Sequence, residues 1–244
     1  MKQLLIILSL VLVACANKED APSAQTIVDS AISVACNGNC ENASMDFTFR
    51  NRCYVSTRNG GAYQFERIFE DSTGVTRDIL TNNGFERYKN DVLVTLADSI
   101  ASKYANSVNS VLYFAQLPFG LNAPAVKKEL LGEALIKGKN YYEVGIRFAE
   151  EGGGTDFEDE FVYWISTETY TVDYLAYSYA TNGGGIRFRE AYNPRSVEGI
   201  RFVDYNNYKP KTLEVPLTEL DSLFEKGELN LLSKIETEAV AVVL

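Results

Sequence analysis

The chain has 244 residues, a formal net charge of −10 and no histidine. The acidic balance argues against nucleic acid or anionic lipid surfaces as partners, because like charges repel. The missing imidazole excludes Ser-His-Asp and Cys-His catalysis and histidine zinc sites. Tyrosine and phenylalanine are abundant and proline is scarce, a profile that favours one β-rich domain.

The amino terminus has the pattern of an export signal. Lys2 precedes an apolar run from Leu4 to Val13, which is too short to span a bilayer, since a spanning helix needs ~20 apolar residues. The run ends in Leu12-Val13-Ala14-Cys15, which resembles the lipobox of bacterial lipoproteins. That resemblance implies a signal peptide over 1–14, a lipidated Cys15 and a tether over 15–22; an ordinary signal peptide is the alternative.

Lipidation of Cys15 would anchor the chain to a membrane of the cell envelope, since several buried acyl chains give essentially permanent attachment. We therefore expect an outer-membrane lipoprotein. It would face the periplasm or the cell surface. Asn17-Lys18-Glu19-Asp20 resembles the export tag of some surface lipoproteins, and a solvated tether has the same composition.

The first predicted helix starts at Ser23, a residue type favoured at the N-cap, and ends near Cys36. In an oxidising envelope the run from Cys36 to Cys40 predicts a small disulfide loop around an Asn-Gly turn. A Cys40–Cys53 bond and free thiols are the alternatives. Two cysteines alone make a poor metal site, so we predict no metal and no cofactor.

From Ala43 the apolar period changes to two. Met45, Phe47 and Phe49 alternate with polar residues, and Gly-containing turns such as 59–61 separate further short strands. Alternation with such turns predicts an antiparallel meander with one apolar face.

A helix beginning at Asp98 interrupts the meander and must end before Pro118. Strands then resume near Tyr142. A short helix around Leu220 follows, and 231–243 is predicted to be one final strand. Nothing between these elements has the composition of a linker, so we predict a single domain over 23–244.

This order of elements resembles the open half-barrel of the Lol-type outer-membrane lipoprotein carriers and receptors. Segments such as Arg187-Phe188-Arg189-Glu190-Ala191-Tyr192-Asn193 and Gly199-Ile200-Arg201-Phe202 are also similar to an uncharacterised family of gram-negative envelope lipoproteins. The resemblance implies a mainly β (α+β) fold, an antiparallel open half-barrel wrapped around a few short helices. It also implies a concave apolar surface that could hold acyl chains.

The aromatic face of the strands supplies the candidate site, since large β half-barrels can hold apolar ligands there. The residues that we predict to line it are Phe65, Tyr113, Phe148, Tyr163, Phe188 and Phe202. The alternative interpretation of this face is ordinary core. Arg187, Arg189 and Arg201 are expected on the opposite face, paired with Glu66, Asp173 or Glu190, or binding an anionic group.

Two other patterns point to chemistry less specifically. Glu158 and Glu160 could act as an acid–base pair, but inert strands carry the same spacing. Acidic residues surround the glycines at 152–154 and could hold calcium, although such glycines usually mark turns. We therefore predict that the protein is not an enzyme.

The leading functional hypothesis is that the anchored module binds a lipid, an acylated protein or another apolar envelope ligand in the half-barrel. The alternative is a structural or assembly lipoprotein that holds a protein partner without a small ligand.

Overall fold

The computed structural model describes residues 21–154 and 157–244. The predicted signal peptide, Cys15 and most of the tether lie outside the described residues. The described part contains three α-helices: α1 (Ala24–Cys36), α2 (Asp98–Ala115) and α3 (Leu220–Glu225). None of the helices in these residues is both long enough and apolar enough to cross a membrane.

The strands form two groups separated by α2. The first group contains β1 (Ser44–Phe49), β2 (Arg52–Asn59), β3 (Ala62–Asp71), β4 (Gly74–Thr81), β5 (Gly84–Lys89) and β6 (Val92–Leu93). The second group contains β7 (Val126–Ile136), β8 (Lys139–Phe148), β9 (Glu160–Ser166), β10 (Val172–Tyr179), β11 (Gly185–Val197), β12 (Ile200–Lys209), β13 (Asn230–Ile235) and β14 (Glu238–Val243).

These strands build two open antiparallel sheets. The N-terminal sheet has the order β14-β1-β2-β3-β4-β5-β6, and the C-terminal sheet has the order β13-β12-β11-β10-β9-β8-β7. From β1 to β6 and from β7 to β13 each strand pairs with the next strand in the chain, as expected for two meanders, and β14 pairs with β1. The predicted mainly β, antiparallel half-barrel with a few short helices is confirmed.

The prediction of one final strand over 231–243 is wrong, because the chain crosses between the sheets at Thr237. There β13 ends on the C-terminal sheet and β14 begins beside β1. Asp204 accepts a hydrogen bond from the Thr237 amide at 3.0 Å, and Arg195 donates to the Thr237 carbonyl at 2.6 Å. Three consecutive polar residues, Glu236-Thr237-Glu238, interrupt the apolar alternation here, and the prediction of one strand overlooked this sign of the break.

Helix α1 packs on the concave face of the C-terminal sheet. The Ser23 hydroxyl accepts a hydrogen bond from the Thr26 amide at 3.1 Å, which caps the helix as predicted. Its buried residues Ile27, Val28 and Ala31 belong to one core cluster with apolar residues of β7 to β10.

Helix α2 packs on the N-terminal sheet. Val108 and Leu112 are fully buried in a cluster with Phe47, Tyr54 and Phe65. Its last turn reaches the other sheet, since Tyr113 and Phe114 pack against that sheet's core. One helix therefore bridges the two sheets.

A buried ion cluster ties α2 to the N-terminal sheet. The fully buried Asp78 carboxylate of β4 accepts hydrogen bonds from Arg67 at 2.6 and 2.9 Å and from Arg87 at 2.5 and 2.9 Å. Arg67 also donates to the Ser107 hydroxyl of α2 at 2.7 Å. The Arg87 guanidinium lies 3.5 Å from the centre of the Tyr104 ring, also on α2.

The convex face of the C-terminal sheet is buried as well. Trp164, Tyr174 and Phe188 form a core there beneath Leu220 and Phe224 of α3. In β9 every residue after Glu160 is buried. The expectation that one face of the strands would be in water is therefore wrong for the middle of this sheet.

Glu143 of β8 lies half-buried at the edge of this convex core. Burial first, and then the nearby Asp221 carboxylate, raise the pKa of Glu143 to about 7. Its Oε1 atom and the indole Nε1 of Trp164, directly opposite on β9, are buried without a hydrogen-bond partner among the described residues. A charge on Glu143 is therefore costly in the folded state.

We expect Asp78→Asn to lower the free energy of unfolding by about 3–5 kcal/mol, because it leaves the buried Arg67 guanidinium without a counter-charge. Denaturant unfolding measures this change. Glu70→Gln, which removes an exposed carboxylate from the same sheet, is the control and should change stability little. Equal stabilities for the two variants would contradict this role for Asp78.

Glu143 should also make stability depend on pH. Its pKa rises from an ordinary value of 4.5 to about 7 on folding, so its contribution is fully present below pH 4.5 and is lost as pH rises through 7. Solvent screens a half-exposed group and reduces this effect. We therefore expect the free energy of unfolding of the wild-type chain to fall by about 1–2 kcal/mol relative to that of Glu143→Gln over this pH range.

Unfolding curves at several pH values test this expectation, with the exposed Glu133→Gln on the adjacent strand as the matched control. A stability difference between wild type and Glu143→Gln that stays constant with pH would contradict the assignment.

Candidate functional site

A partly open cleft of about 980 Å³ lies between the two sheets, beside α2. Its size is at the upper end of the ~300–1,000 Å³ typical of small-molecule sites. Phe47 and Phe49 of β1 line one side, and Val111 and Phe114 of α2 line another. The C-terminal sheet supplies the remaining wall, in which the aromatic residues are Phe148, Phe161, Tyr177, Tyr179 and Tyr205.

The aromatic rings of this wall contact one another. Phe161 lies 5.4 Å from Tyr177, 5.8 Å from Phe148 and 6.3 Å from Phe114, measured between ring centres. Phe114 in turn lies 5.1 Å from Tyr177. Helix α2 and the C-terminal sheet therefore meet through a continuous aromatic surface, which is apolar and stiff.

Tyr113, in the last turn of α2, lines the cleft and is bonded to the sheet behind it. Its hydroxyl shares a 3.2 Å hydrogen bond with the hydroxyl of the fully buried Tyr163. Burial raises the pKa of Tyr113 to about 12, and burial likewise raises the pKa of Tyr163. Both phenols therefore stay neutral and hold the last turn of α2 against the sheet.

One guanidinium lies among the rings. Arg189 of β11 is 7% exposed, and its guanidinium carbon lies 3.8 Å from the centre of the Phe114 ring and 5.1 Å from that of Tyr177. It donates a 2.8 Å hydrogen bond to the Tyr177 hydroxyl. The expectation that Arg189 would lie opposite the aromatic face is wrong. Arg201 does pair with Asp173, at 3.5 Å.

The structure brings some of the predicted lining residues to the cleft. Tyr113 and Phe148 line it. Tyr163 lies behind Tyr113, and Phe65 is buried beneath α2, where the Arg58 guanidinium stacks 4.8 Å from its ring centre. Tyr163 and Phe65 therefore support the wall of the cleft without lining it.

The other two predicted lining residues lie elsewhere. Phe188 packs on the convex face beneath α3, and Phe202 packs in a cluster with Cys36, Cys40 and Met45. The apolar alternation in β11 predicts that Phe188 faces the cleft, but a sheet that is buried on both sides has apolar residues on both faces. The residue of β11 that faces the cleft is the polar neighbour of Phe188, Arg189.

Sequence reasoning missed Phe114, Tyr177 and Tyr205, which line the cleft. The period-two pattern around 172–179 and 200–209 could have indicated the two tyrosines. Phe47 and Phe49 are predicted on the apolar face of the first meander, but the pattern could not show which part of that face α2 leaves uncovered.

The predicted disulfide partners are joined in the structure. Cys36 and Cys40 form a disulfide at the carboxyl end of α1, where Asn37 takes a left-handed φ of 48°. Cys53 is a free, half-buried thiol. Burial, followed by the nearby Asp46 carboxylate, raises its pKa, so Cys53 remains protonated and a weak nucleophile.

The structure also places the residues that were considered for acid–base and metal chemistry. Glu160 forms a 2.9 Å salt bridge with Arg147, and Glu158 is exposed. Gly152 and Gly154 both have a φ of +80°, as in turns. Within residues 21–154 and 157–244, no three His, Cys, Asp or Glu side chains are close enough to share a metal ion.

A second, smaller groove of about 440 Å³ lies on the convex side, between β7 to β9 and residues 216–218. Lys127, Lys128, Glu129, Arg147 and Glu160 contribute charges of both signs to its lining. Because this groove has less than half the volume of the cleft and a lining of mixed charge, the larger aromatic cleft is the candidate site.

The chain is similar to one family of proteins and to several solved structures. The model of a family described as "Family of unknown function (DUF6503)" matches residues 2–237. No curated protein matches the chain.

Among solved structures, the chain is similar to a DUF1329 family protein from Desulfovibrio piger, with 12% identity and a TM-score of 0.54 over 89% of this chain and 92% of that one. It is also similar to a LolA superfamily protein from Nitrosomonas europaea, with 10% identity and a TM-score of 0.46 over 92% and 93% of the two chains. At these identities the first likeness shows a shared fold alone.

Proposed function

The chain belongs to the DUF6503 family of unknown function, and we propose that it binds a lipid or another apolar molecule of the bacterial envelope in the cleft beside α2. The observation that carries this proposal is a cleft of about 980 Å³ with aromatic side chains on three sides. An apolar surface of this size is costly to leave in water, and burying it against a ligand gains ~25 cal/mol per Å².

The cleft is part of the fold. Phe161, which the other rings surround, is only 6% exposed, and α2 is held to the opposite sheet by the Asp78 ion cluster. The space therefore exists before a ligand enters, which lowers the entropic cost of binding.

We propose that lipidation of Cys15 anchors this binding module to an envelope membrane, with the outer membrane as its expected location. An anchored module would keep its cleft close to a source of acyl chains.

The proposal assigns binding and no catalysis. Glu160, one of the two carboxylates considered for acid–base work, is held in a salt bridge with Arg147 at 2.9 Å. The alternative is a structural lipoprotein that holds a protein partner, and it predicts an empty cleft in the purified protein.

Native mass spectrometry of the soluble mature chain tests the proposal. This is residues 15–244 with Cys15→Ser, exported behind an ordinary cleavable signal peptide and purified without detergent. We expect a discrete added mass that organic solvent removes and that is identified as lipid. A protein that stays free of ligand, even after incubation with envelope lipids, would overturn the proposal and favour the protein-partner function.

Phe148→Glu in the same soluble mature chain should weaken retention of the ligand about 10- to 100-fold, because it replaces ~1.5–3 kcal/mol of apolar contact with a charge. The variant is checked for folding by its thermal unfolding. Leu135→Glu, which changes an exposed apolar residue outside the cleft, is the control. Equal retention by both variants would show that the cleft does not hold the ligand.

The anchor is tested separately, by growing cells with an alkyne fatty acid and examining the full-length chain. Wild type should be labelled and should fractionate with the outer membrane, whereas Cys15→Ala should carry no label because it lacks the acylated thiol. Labelling of Cys15→Ala would contradict the lipobox assignment without affecting the cleft.

A further inference from the structure

Among the described residues, no carboxylate neutralises the buried guanidinium of Arg189. None of the salt bridges among the described residues includes Arg189. A buried charge is normally paired, because removing it from water costs several kcal/mol. Arg189 is surrounded by the rings of Phe114, Tyr177 and Tyr205, at 3.8, 5.1 and 5.8 Å from its guanidinium carbon.

The hydrogen bonds of Arg189 are also incomplete. One terminal nitrogen donates to the Tyr177 hydroxyl, but the buried Nε has no partner among the described residues. Stacking on aromatic rings compensates part of the charge and none of this missing hydrogen bond. The atom is therefore available to an acceptor that enters the cleft.

A second unpartnered polar atom lies beside it. Asn207 is paired directly with Arg189 across β11 and β12 and also lines the cleft. Its Oδ1 atom is buried without a partner among the described residues, while its Nδ2 donates to the Ser233 hydroxyl at 3.3 Å. Since a hydroxyl can donate or accept, Asn207 can turn its amide and offer either atom to a ligand.

The charge of the cleft differs from that of the protein. Against a net charge of −10 for the whole chain, the charged residues in the described lining are Arg50, Lys103 and Arg189 on the positive side and Asp159 on the negative side. Positive charge in a low-dielectric cleft attracts an anion.

From these observations we infer that the ligand of the cleft is an anionic amphiphile, whose carboxylate or phosphate accepts hydrogen bonds from Arg189 and Asn207 while its apolar chain lies against Phe114 and Phe161. This inference rests on the proposed binding function and specifies its ligand class. Arg189 would select the charged head group, and the aromatic wall would supply most of the contact area.

Matched ligands test the inference on the soluble mature chain after bound lipid has been stripped on a hydrophobic resin. Palmitate and hexadecanol share a chain length and differ in head-group charge. Displacement of an uncharged fluorescent probe measures their relative affinities. We expect palmitate to bind about 10- to 100-fold more tightly than its uncharged analogue, the contribution of a charge-assisted hydrogen bond.

Arg189→Met should remove this preference, so that it binds palmitate no more tightly than hexadecanol. Arg189→Lys, which keeps the charge, should retain part of it. Arg187→Met is the matched control, because Arg187 is on the same strand and also donates to a tyrosine hydroxyl, at 2.6 Å from Tyr179, but does not line the cleft. If Arg189 only held α2 in place, its loss would weaken both ligands equally.

The outcomes separate the inference from the function on which it rests. Equal binding of palmitate and hexadecanol by wild type, together with equal binding of phosphatidylglycerol and phosphatidylethanolamine, would overturn the inference while leaving the cleft a binding site. An unchanged preference in Arg189→Met would overturn it as well. Binding of neither ligand would count against both.

A parallel comparison of phosphatidylglycerol with phosphatidylethanolamine distinguishes the two sources of the anion. Selectivity for phosphatidylglycerol without selectivity for palmitate would support a phospholipid head group. The reverse pattern would support a free fatty acid.

Discussion

The Asp78 carboxylate is the contact on which the cleft depends, because it fixes the helix that forms one of its walls. It accepts four hydrogen bonds from two arginines, and these arginines contact Ser107 and Tyr104 of α2. These contacts hold α2 on the N-terminal sheet and keep it out of the space between the sheets. Its last turn, at Tyr113 and Phe114, reaches the C-terminal sheet, and the space beside the helix stays open.

The C-terminal sheet shows the complementary constraint. Its convex face is sealed by α3 over Trp164 and Phe188, so its strands are held by apolar contacts from both sides. A sheet supported in this way can carry a polar residue on its concave face without losing its core. Arg189 occupies such a position, and its charge is stabilised by aromatic rings in place of a carboxylate. The C-terminal sheet therefore gives the cleft an apolar wall that carries the cationic side chain of Arg189.

The accuracy of prediction from the sequence differed between the fold and the site. The change of apolar period at Ala43, the interruption by a helix at Asp98 and the return to strands near Tyr142 are local patterns, and they predicted the half-barrel correctly. Of the predicted lining residues, Tyr113 and Phe148 lie at the cleft, where a helix or strand ends, whereas Phe188 lies on the other face of its sheet. Hydrophobicity identifies an inward face only when the other face is in water.

The sequence by itself determined the properties that depend on neighbouring residues along the chain. These are the helix cap at Ser23, the short turn that favours pairing of Cys36 with Cys40 and the alternation that makes the strands. The tertiary structure alone decided which residues meet across long separations. It placed β14 beside β1, it packed α3 over Phe188, and it turned Arg189 into the cleft. Such contacts depend on which surface each element buries, and that follows from the packing of the whole chain.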